Sequence, residues 1–108
     1  MKSKKIYLIT TIYLSPAKLK SDKMAACDRK RCVGYYFKLK DALYTVKSDW
    51  ADLEEHGYYN FLVIEGMVKG LYGGMSLNEE FWYIRKNGKW EKTDKPKCFK
   101  QVHNFGIG

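Results

Sequence analysis

The sequence has few of the residues on which enzymes and disulfide-stabilised folds depend. Its 108 residues include two histidines, His56 and His103, and three cysteines, Cys27, Cys32 and Cys98. An odd number of cysteines argues against a closed disulfide framework. Neither histidine lies in a Ser-His-Asp or Cys-His-Asn spacing, although the partners in a triad can be distant in sequence. We therefore expect a protein that is not an enzyme.

Long hydrophobic runs are also missing. No stretch approaches the roughly 20 apolar residues that a transmembrane helix needs. Three of the first five residues are lysines, but the apolar segment that follows is interrupted by Thr10 and Thr11, and no small-residue cleavage site comes after it. These observations predict no membrane partner and a cytoplasmic location.

A zinc site is the main alternative use of the cysteines. Cys27, Cys32, Cys98 and His103 are four possible ligands, which is the number that a structural zinc site requires. The first spacing is C-x4-C, at the loose end of the usual range, and three adjacent cations separate the two thiols. The alternative is that the cysteines bind no metal and have only a structural role, because cysteine is a small residue that is often buried. We therefore predict no metal ion and no cofactor.

Negative charge is scarce relative to positive charge. The chain has 20 lysines and arginines against 12 acidic residues, a formal net charge of +8, and the excess is concentrated in residues 1–32. The positive electrostatic potential of such a chain favours an anionic partner. A lysine-rich surface can also serve only to keep a small protein soluble.

Arginine is rarer than lysine, and each arginine lies beside aromatic residues in sequence. Arg29 and Arg31 precede Tyr35 and Tyr36, and Arg85 follows Trp82 and Tyr83. Guanidinium groups pair bidentately with phosphate, and aromatic rings stack on bases. The competing interpretation is that alternate aromatic residues of strands lie in the core. Arg29, Lys30, Arg31 and Arg85 are therefore the best candidate phosphate donors, and Tyr35, Tyr36, Trp82 and Tyr83 are candidate stacking rings.

Periodicity predicts a single α+β domain over residues 1–108. A stripe of apolar residues that begins at Leu39 predicts one principal helix, which ends near Trp50 or extends to Leu53. Asn87-Gly88 predicts a type I′ turn between two strands. Residues 15–30 are predicted to form a basic loop. The fold class is a mainly antiparallel sheet with one helix packed on it. The predicted strands are residues 6–13, 31–37, 59–68, 81–85 and 89–92.

The chain ends on the apolar segment Phe105-Gly106-Ile107-Gly108. We predict that this segment packs against the sheet or against a neighbouring subunit. Its deletion should then change the solution mass and the melting temperature.

A spaced series of motifs covers residues 31–108. The motifs are Arg31-Cys32-Val33-Gly34, Asp52-Leu53-Glu54-Glu55-His56-Gly57-Tyr58-Tyr59, Val63-Ile64-Glu65, Gly70-Leu71-Tyr72, Trp82-Tyr83 and Asn104-Phe105-Gly106-Ile107-Gly108. In carrying them, the chain resembles a family of small phage and prophage proteins, and within it the Thoeris anti-defence nucleotide sponges.

The resemblance implies a phage anti-defence protein that binds a cyclic nucleotide signal and does not cleave it. The implied ligand is a cyclic ADP-ribose isomer or a cyclic oligonucleotide, bound in the host cytoplasm. It also implies a homo-oligomer, either a dimer or a hexamer, with Arg31, Trp82, Tyr83 and Asn104 as candidate ligand contacts. Arg85 and His103 are added to that set by their chemistry.

Two other functions remain open at this level. The protein could inhibit a host defence protein by direct binding, or it could be a small module that binds DNA or RNA. Steep salt dependence with long polynucleotides would indicate the second of these.

Overall fold

A computed structural model describes residues 5–20, 29–48, 59–68, 79–99 and 105. Five strands, two α-helices and one 3-10 turn make up this part of the chain. In chain order they are β1 (Lys5–Tyr13), α1 (Pro16–Leu19), β2 (Arg29–Tyr36), α2 (Leu39–Ser48), β3 (Phe61–Val68), β4 (Glu79–Lys86), β5 (Lys89–Thr93) and the 3-10 turn (Lys97–Phe99).

The five strands form one sheet in the order β2-β1-β3-β4-β5, and every neighbouring pair is antiparallel. Strand β3 therefore lies at the centre, and the chain crosses over β1 between β2 and β3. Helix α2 belongs to this crossover and packs on β1, β2 and β5. The predicted α+β class, with a mainly antiparallel sheet and one principal helix, is confirmed.

Both faces of the central strand are covered. Leu62 and Ile64 pack with Ala42 and Val46 of α2, on what we call the helix face. Phe61 and the residues that share its orientation pack on the opposite face, where the 3-10 turn and Phe105 cover the sheet. A continuous apolar run such as residues 61–64 is typical of a strand that is buried on both sides.

The apolar stripe of α2 accounts for only part of its buried surface. Ala42 and Val46 are buried as the stripe predicts, but Leu43 is 37% exposed. Thr45 is buried although it is polar, because its hydroxyl hydrogen-bonds to the Tyr36 hydroxyl at 2.8 Å and donates to the Asp41 carbonyl at 3.0 Å. The described part of the helix ends at Ser48, so the predicted ends at Trp50 or Leu53 lie outside the described residues.

The segment predicted as a loop over residues 15–30 contains two structured pieces. Ser15 accepts a hydrogen bond from the Lys18 N–H at 3.4 Å and caps the one-turn helix α1, with Pro16 in its first turn. Strand β2 begins at Arg29 because Arg29 and Lys30 already pair with β1. The prediction of an irregular loop is therefore wrong for residues 16–19 and 29–30. Residues 21–28 lie outside the described part.

The Asn87-Gly88 turn is as predicted. Both residues have positive φ, 49° and 77°, which a type I′ turn requires. This two-residue turn fixes the register of β4 and β5, so that Arg85 lies opposite Trp90.

Candidate functional site

An open groove lies on the helix face, between the second half of α2 and the β4–β5 hairpin. We call it the helix–hairpin groove, and its volume is about 510 Å³. This volume falls within the roughly 300–1,000 Å³ of typical small-molecule sites. The described residues that line it are Leu43, Val46, Lys47, Tyr83, Arg85, Gly88, Lys89 and Trp90.

Strand alternation explains why Tyr83 and Arg85 share this groove. Tyr83 pairs with Leu62 of the helix face, and Arg85 lies two residues further along β4, on the same side of the sheet. Arg85 also donates its backbone N–H to the Asn60 carbonyl at 3.0 Å. The main chain beneath the guanidinium is therefore held by the sheet.

The Arg85 guanidinium is positioned by an aromatic ring. Its Cζ lies 5.3 Å from the centroid of the Trp90 ring, within the range of a cation–π interaction. Arg85 and Trp90 are both half-buried. A guanidinium held against a ring loses less side-chain freedom when it binds an anion than one extended into solvent.

Lysines add positive charge near the groove. Lys47 lies in the last turn of α2 and Lys89 is the first residue of β5, and both are exposed. Lys89 pairs with Lys86, so its side chain leaves the sheet on the face opposite Trp90, whereas Lys47 and Arg85 line the groove from the helix face. None of the described lining residues is acidic. Low-dielectric walls such as Val46 and Trp90 strengthen the field of these cations inside the groove.

Tyr83 supplies a neutral hydroxyl. Burial raises the pKa of Tyr83 above its ordinary value of 10.0, because desolvation penalises the phenolate. The phenol therefore stays protonated at neutral pH, where its O–H can donate a hydrogen bond and its ring can stack.

The structure does not bring Arg31 into this groove. Arg31 pairs across β1 with Thr11, which in turn pairs with Leu62 opposite Tyr83. Three steps of ~4.8 Å between neighbouring strands put Arg31 and Tyr83 some 14 Å apart along this row. The Arg31 Cζ instead lies 5.4 Å from the centroid of the buried Tyr59 ring.

Trp82 lies on the opposite face of the sheet. It is 4% exposed, its ring stacks on Phe99 at 6.0 Å and meets the edge of Phe105 at 5.3 Å. Its Nε1–H donates to Glu80 Oε1 at 3.1 Å. Of the two residues in the Trp82-Tyr83 motif, the structure therefore places only Tyr83 in the groove.

The remaining sequence candidates divide between described and undescribed residues. His103, Asn104 and Cys27 lie outside the described residues. Cys98 is a buried residue of the 3-10 turn, whereas Cys32 is exposed on the edge strand β2. Within the described ranges, no group of three or more histidine, cysteine or acidic side chains could hold a metal ion.

Sequence reasoning missed Trp90, Lys47 and Lys89. Trp90 could have been found, because a two-residue turn at Asn87-Gly88 necessarily pairs residue 85 with residue 90. The proximity of Lys47 to β5 had no signal in the sequence, since it depends on where the crossover helix lies.

Comparison of the chain with protein-family models, with curated proteins and with solved structures finds no match in any of the three. Within the described residues, neither helix is long and apolar enough to cross a membrane.

Proposed function

We propose that this protein binds a cyclic nucleotide signal in the helix–hairpin groove and sequesters it intact, as a phage anti-defence protein in the host cytoplasm. The observation that supports binding is the set of groups around one open groove. Arg85 and Lys47 are cations, and Tyr83 and Trp90 are aromatic rings.

The cations suit the phosphates of such a ligand. Arg85 offers a planar fork of N–H donors that matches two phosphate oxygens, while Lys47 acts as a point charge nearby. Hydrogen bonds to charged groups contribute more than neutral ones, about 1.5–3 kcal/mol each. Arg85 is therefore the residue on which we expect affinity to depend most.

The rings suit the bases. Stacking of a base on an aromatic side chain contributes about 1–3 kcal/mol. Tyr83 lies on the floor of the groove, on β4, and Trp90 lies across from Arg85 on β5. A ligand with both a base and a phosphate could thus contact a ring and the guanidinium at once.

The chemistry of the lining favours binding over conversion. Arginine and lysine side chains offer N–H donors and no acceptor, and the raised pKa of Tyr83 keeps its hydroxyl neutral. These groups donate hydrogen bonds well and accept protons poorly, so they stabilise a bound anion rather than activate a nucleophile.

The resemblance of residues 31–108 to phage proteins narrows the ligand to a cyclic ADP-ribose isomer or a cyclic oligonucleotide. The same resemblance is the basis for proposing a homo-oligomer. Arg31, His103 and Asn104 stay candidate contacts, and Arg31 would need a ligand or a second subunit that reaches beyond the groove.

The direct test is to mix the purified protein with cyclic ADP-ribose isomers and cyclic di- and trinucleotides, and to remove unbound ligand. Heating the protein then releases what it retained, and mass spectrometry identifies it. We expect one intact cyclic nucleotide. A chemically altered product would contradict sequestration, and the absence of any retained ligand would contradict nucleotide binding.

Variants locate the binding site. We expect Arg85→Ala to weaken binding of the retained ligand by about tenfold or more, because it removes the guanidinium that faces the groove. Lys86→Ala is the matched control, since Lys86 is exposed on the same strand but points away from the helix face. Calorimetry should show nearly unchanged affinity for the control, and equal losses in both variants would place the site elsewhere.

A further inference from the structure

Strand β2 lies at one end of the sheet order and pairs only with β1 among the described residues. The outer edge of such a strand presents backbone N–H and C=O groups that another strand can pair with. Extended peptides bind many proteins in this way, with main-chain hydrogen bonds along the edge and side-chain contacts that give specificity.

The two ends of this edge differ in chemistry. Arg29 and Lys30 are exposed at the beginning of β2. At the other end Tyr35 is 59% exposed and Phe37 is 65% exposed, and their ring centroids lie 5.8 Å apart. The two rings form a contiguous exposed apolar surface, which is the kind of surface that another molecule can cover.

Charge opposes a second copy of the chain as the occupant of this edge. The chain has a net charge of +8, and the edge itself begins with three consecutive cations, Arg29 to Arg31. The β1–β2 register also skips Val33, which marks a bulge. Cations and bulges on an edge strand are the features that discourage self-pairing.

The same cations favour a strand of the opposite charge. We propose that the outer edge of β2 binds an extended acidic segment of another protein as an added strand. The backbone pairs with Arg29–Cys32, before the bulge. Arg29 and Lys30 face opposite sides of the sheet, so two consecutive carboxylates of the partner lie near them, one on each side, and an apolar residue of the partner packs on Tyr35 and Phe37. This surface is separate from the helix–hairpin groove and is proposed independently of nucleotide binding.

Fluorescence anisotropy with a short labelled peptide that has consecutive glutamates at one end, then valine and phenylalanine at the other, tests this proposal. Two control peptides have lysine in place of glutamate, or N-methylated backbone amides that cannot donate hydrogen bonds. We expect binding of the glutamate peptide, and at least tenfold weaker binding of both controls. No binding of the glutamate peptide, or equal binding of all three, would overturn the proposal.

Charge reversal then locates the surface. The double variant Arg29→Glu, Lys30→Glu should bind the glutamate peptide at least tenfold more weakly. The matched double variant Lys38→Glu, Lys40→Glu makes the same charge change on exposed residues outside β2 and should bind within about twofold of the wild type. Circular dichroism checks that both variants are folded.

Two outcomes would identify other occupants and so overturn the proposal. One is a dimer in light scattering that the Arg29→Glu, Lys30→Glu variant loses, which would assign the edge to a second copy. The other is a single-stranded oligonucleotide that displaces the glutamate peptide from the wild type, which would assign the edge to nucleic acid.

Discussion

Asn60 connects three strands at the end of the sheet where the groove lies. Its side chain accepts a hydrogen bond from the Leu14 N–H and donates one to the Leu14 carbonyl, both at 2.9 Å. Its backbone N–H donates to the Ile12 carbonyl, and its carbonyl accepts from Arg85. This one residue therefore closes the end of β1 and supports the strand position that presents the Arg85 guanidinium.

We expect Asn60→Ala to lower the free energy of unfolding by about 2 kcal/mol, because it removes two hydrogen bonds of ~1 kcal/mol each from the backbone of a buried residue. Urea denaturation measures the change. Ser48→Ala is the control, since its hydroxyl bonds to the Tyr44 carbonyl at 2.8 Å on an exposed helix end. Equal losses of unfolding free energy for the two variants would mean that the side-chain hydrogen bonds of Asn60 stabilise the fold no more than an exposed hydrogen bond does.

At the level of elements, the β4–β5 hairpin shapes the groove. Its turn places Arg85 opposite Trp90, and Gly88 itself lines the groove. Gly88 has a φ of 77°, a backbone conformation that costs free energy for residues other than glycine. The hairpin register, and with it the cation–π pair, therefore depends on the conformation of two turn residues.

We expect Gly88→Ala to destabilise the fold by about 1 kcal/mol, since a left-handed conformation strains any residue that has a Cβ. An added Cβ meets no atom within 4 Å at Gly88 or at Gly34, so steric clash does not contribute at either site. Gly34→Ala is the matched control and should be neutral or slightly stabilising, because Gly34 does not have positive φ. Thermal melts that move in the same direction for both variants would contradict this account.

At the scale of the whole molecule, Phe105 covers part of the sheet face opposite α2. Phe105 is 2% exposed and meets Trp82 and Phe99, each at 5.3 Å. Its backbone N–H donates to Glu65 Oε2 at 2.9 Å, and Glu65 is itself buried. For Phe105, the prediction that the terminal segment packs against the sheet is confirmed; residues 106–108 lie outside the described part.

We expect Phe105→Ala to cost about 3–5 kcal/mol, the usual loss for a buried phenylalanine. That is a large share of the roughly 5–15 kcal/mol by which small domains are stable. Phe37→Ala is the control, because a ring that is 65% exposed buries little surface. If chemical denaturation gives similar small losses for both variants, Phe105 is not a core residue.

Much of the fold could be predicted because its signals are local. The strand pattern of residues 6–13 and the buried run of residues 61–64 depend only on neighbouring residues, and both are strands in the structure. The one-turn helix α1 was missed because four residues are too few to show a helical period. Its signal was the Ser15-Pro16 pair, which serves both as a loop element and as a helix cap.

The candidate site was predictable only in part. Tyr83 and Arg85 share a face because strands alternate, and the turn at Asn87-Gly88 adds Trp90 to them. Lys47 comes close to β5 only because α2 crosses the sheet, and no local pattern specifies that path. Arg31 lies on the same face as Arg85 but is separated from it by the order of the strands.

The sequence by itself determined the five strands, the principal helix, the hairpin register and the excess of positive charge, since each follows from residues close together in the chain or from composition. Only the tertiary structure decided that Trp82 lies in the core while Trp90 lines a groove. Alternation places these two tryptophans on opposite faces, but the crossover helix and the packing of Phe105 determine which face is filled and which is left open. The physical reason is that strand order and helix placement depend on contacts between distant residues, which minimise exposed apolar surface over the whole chain.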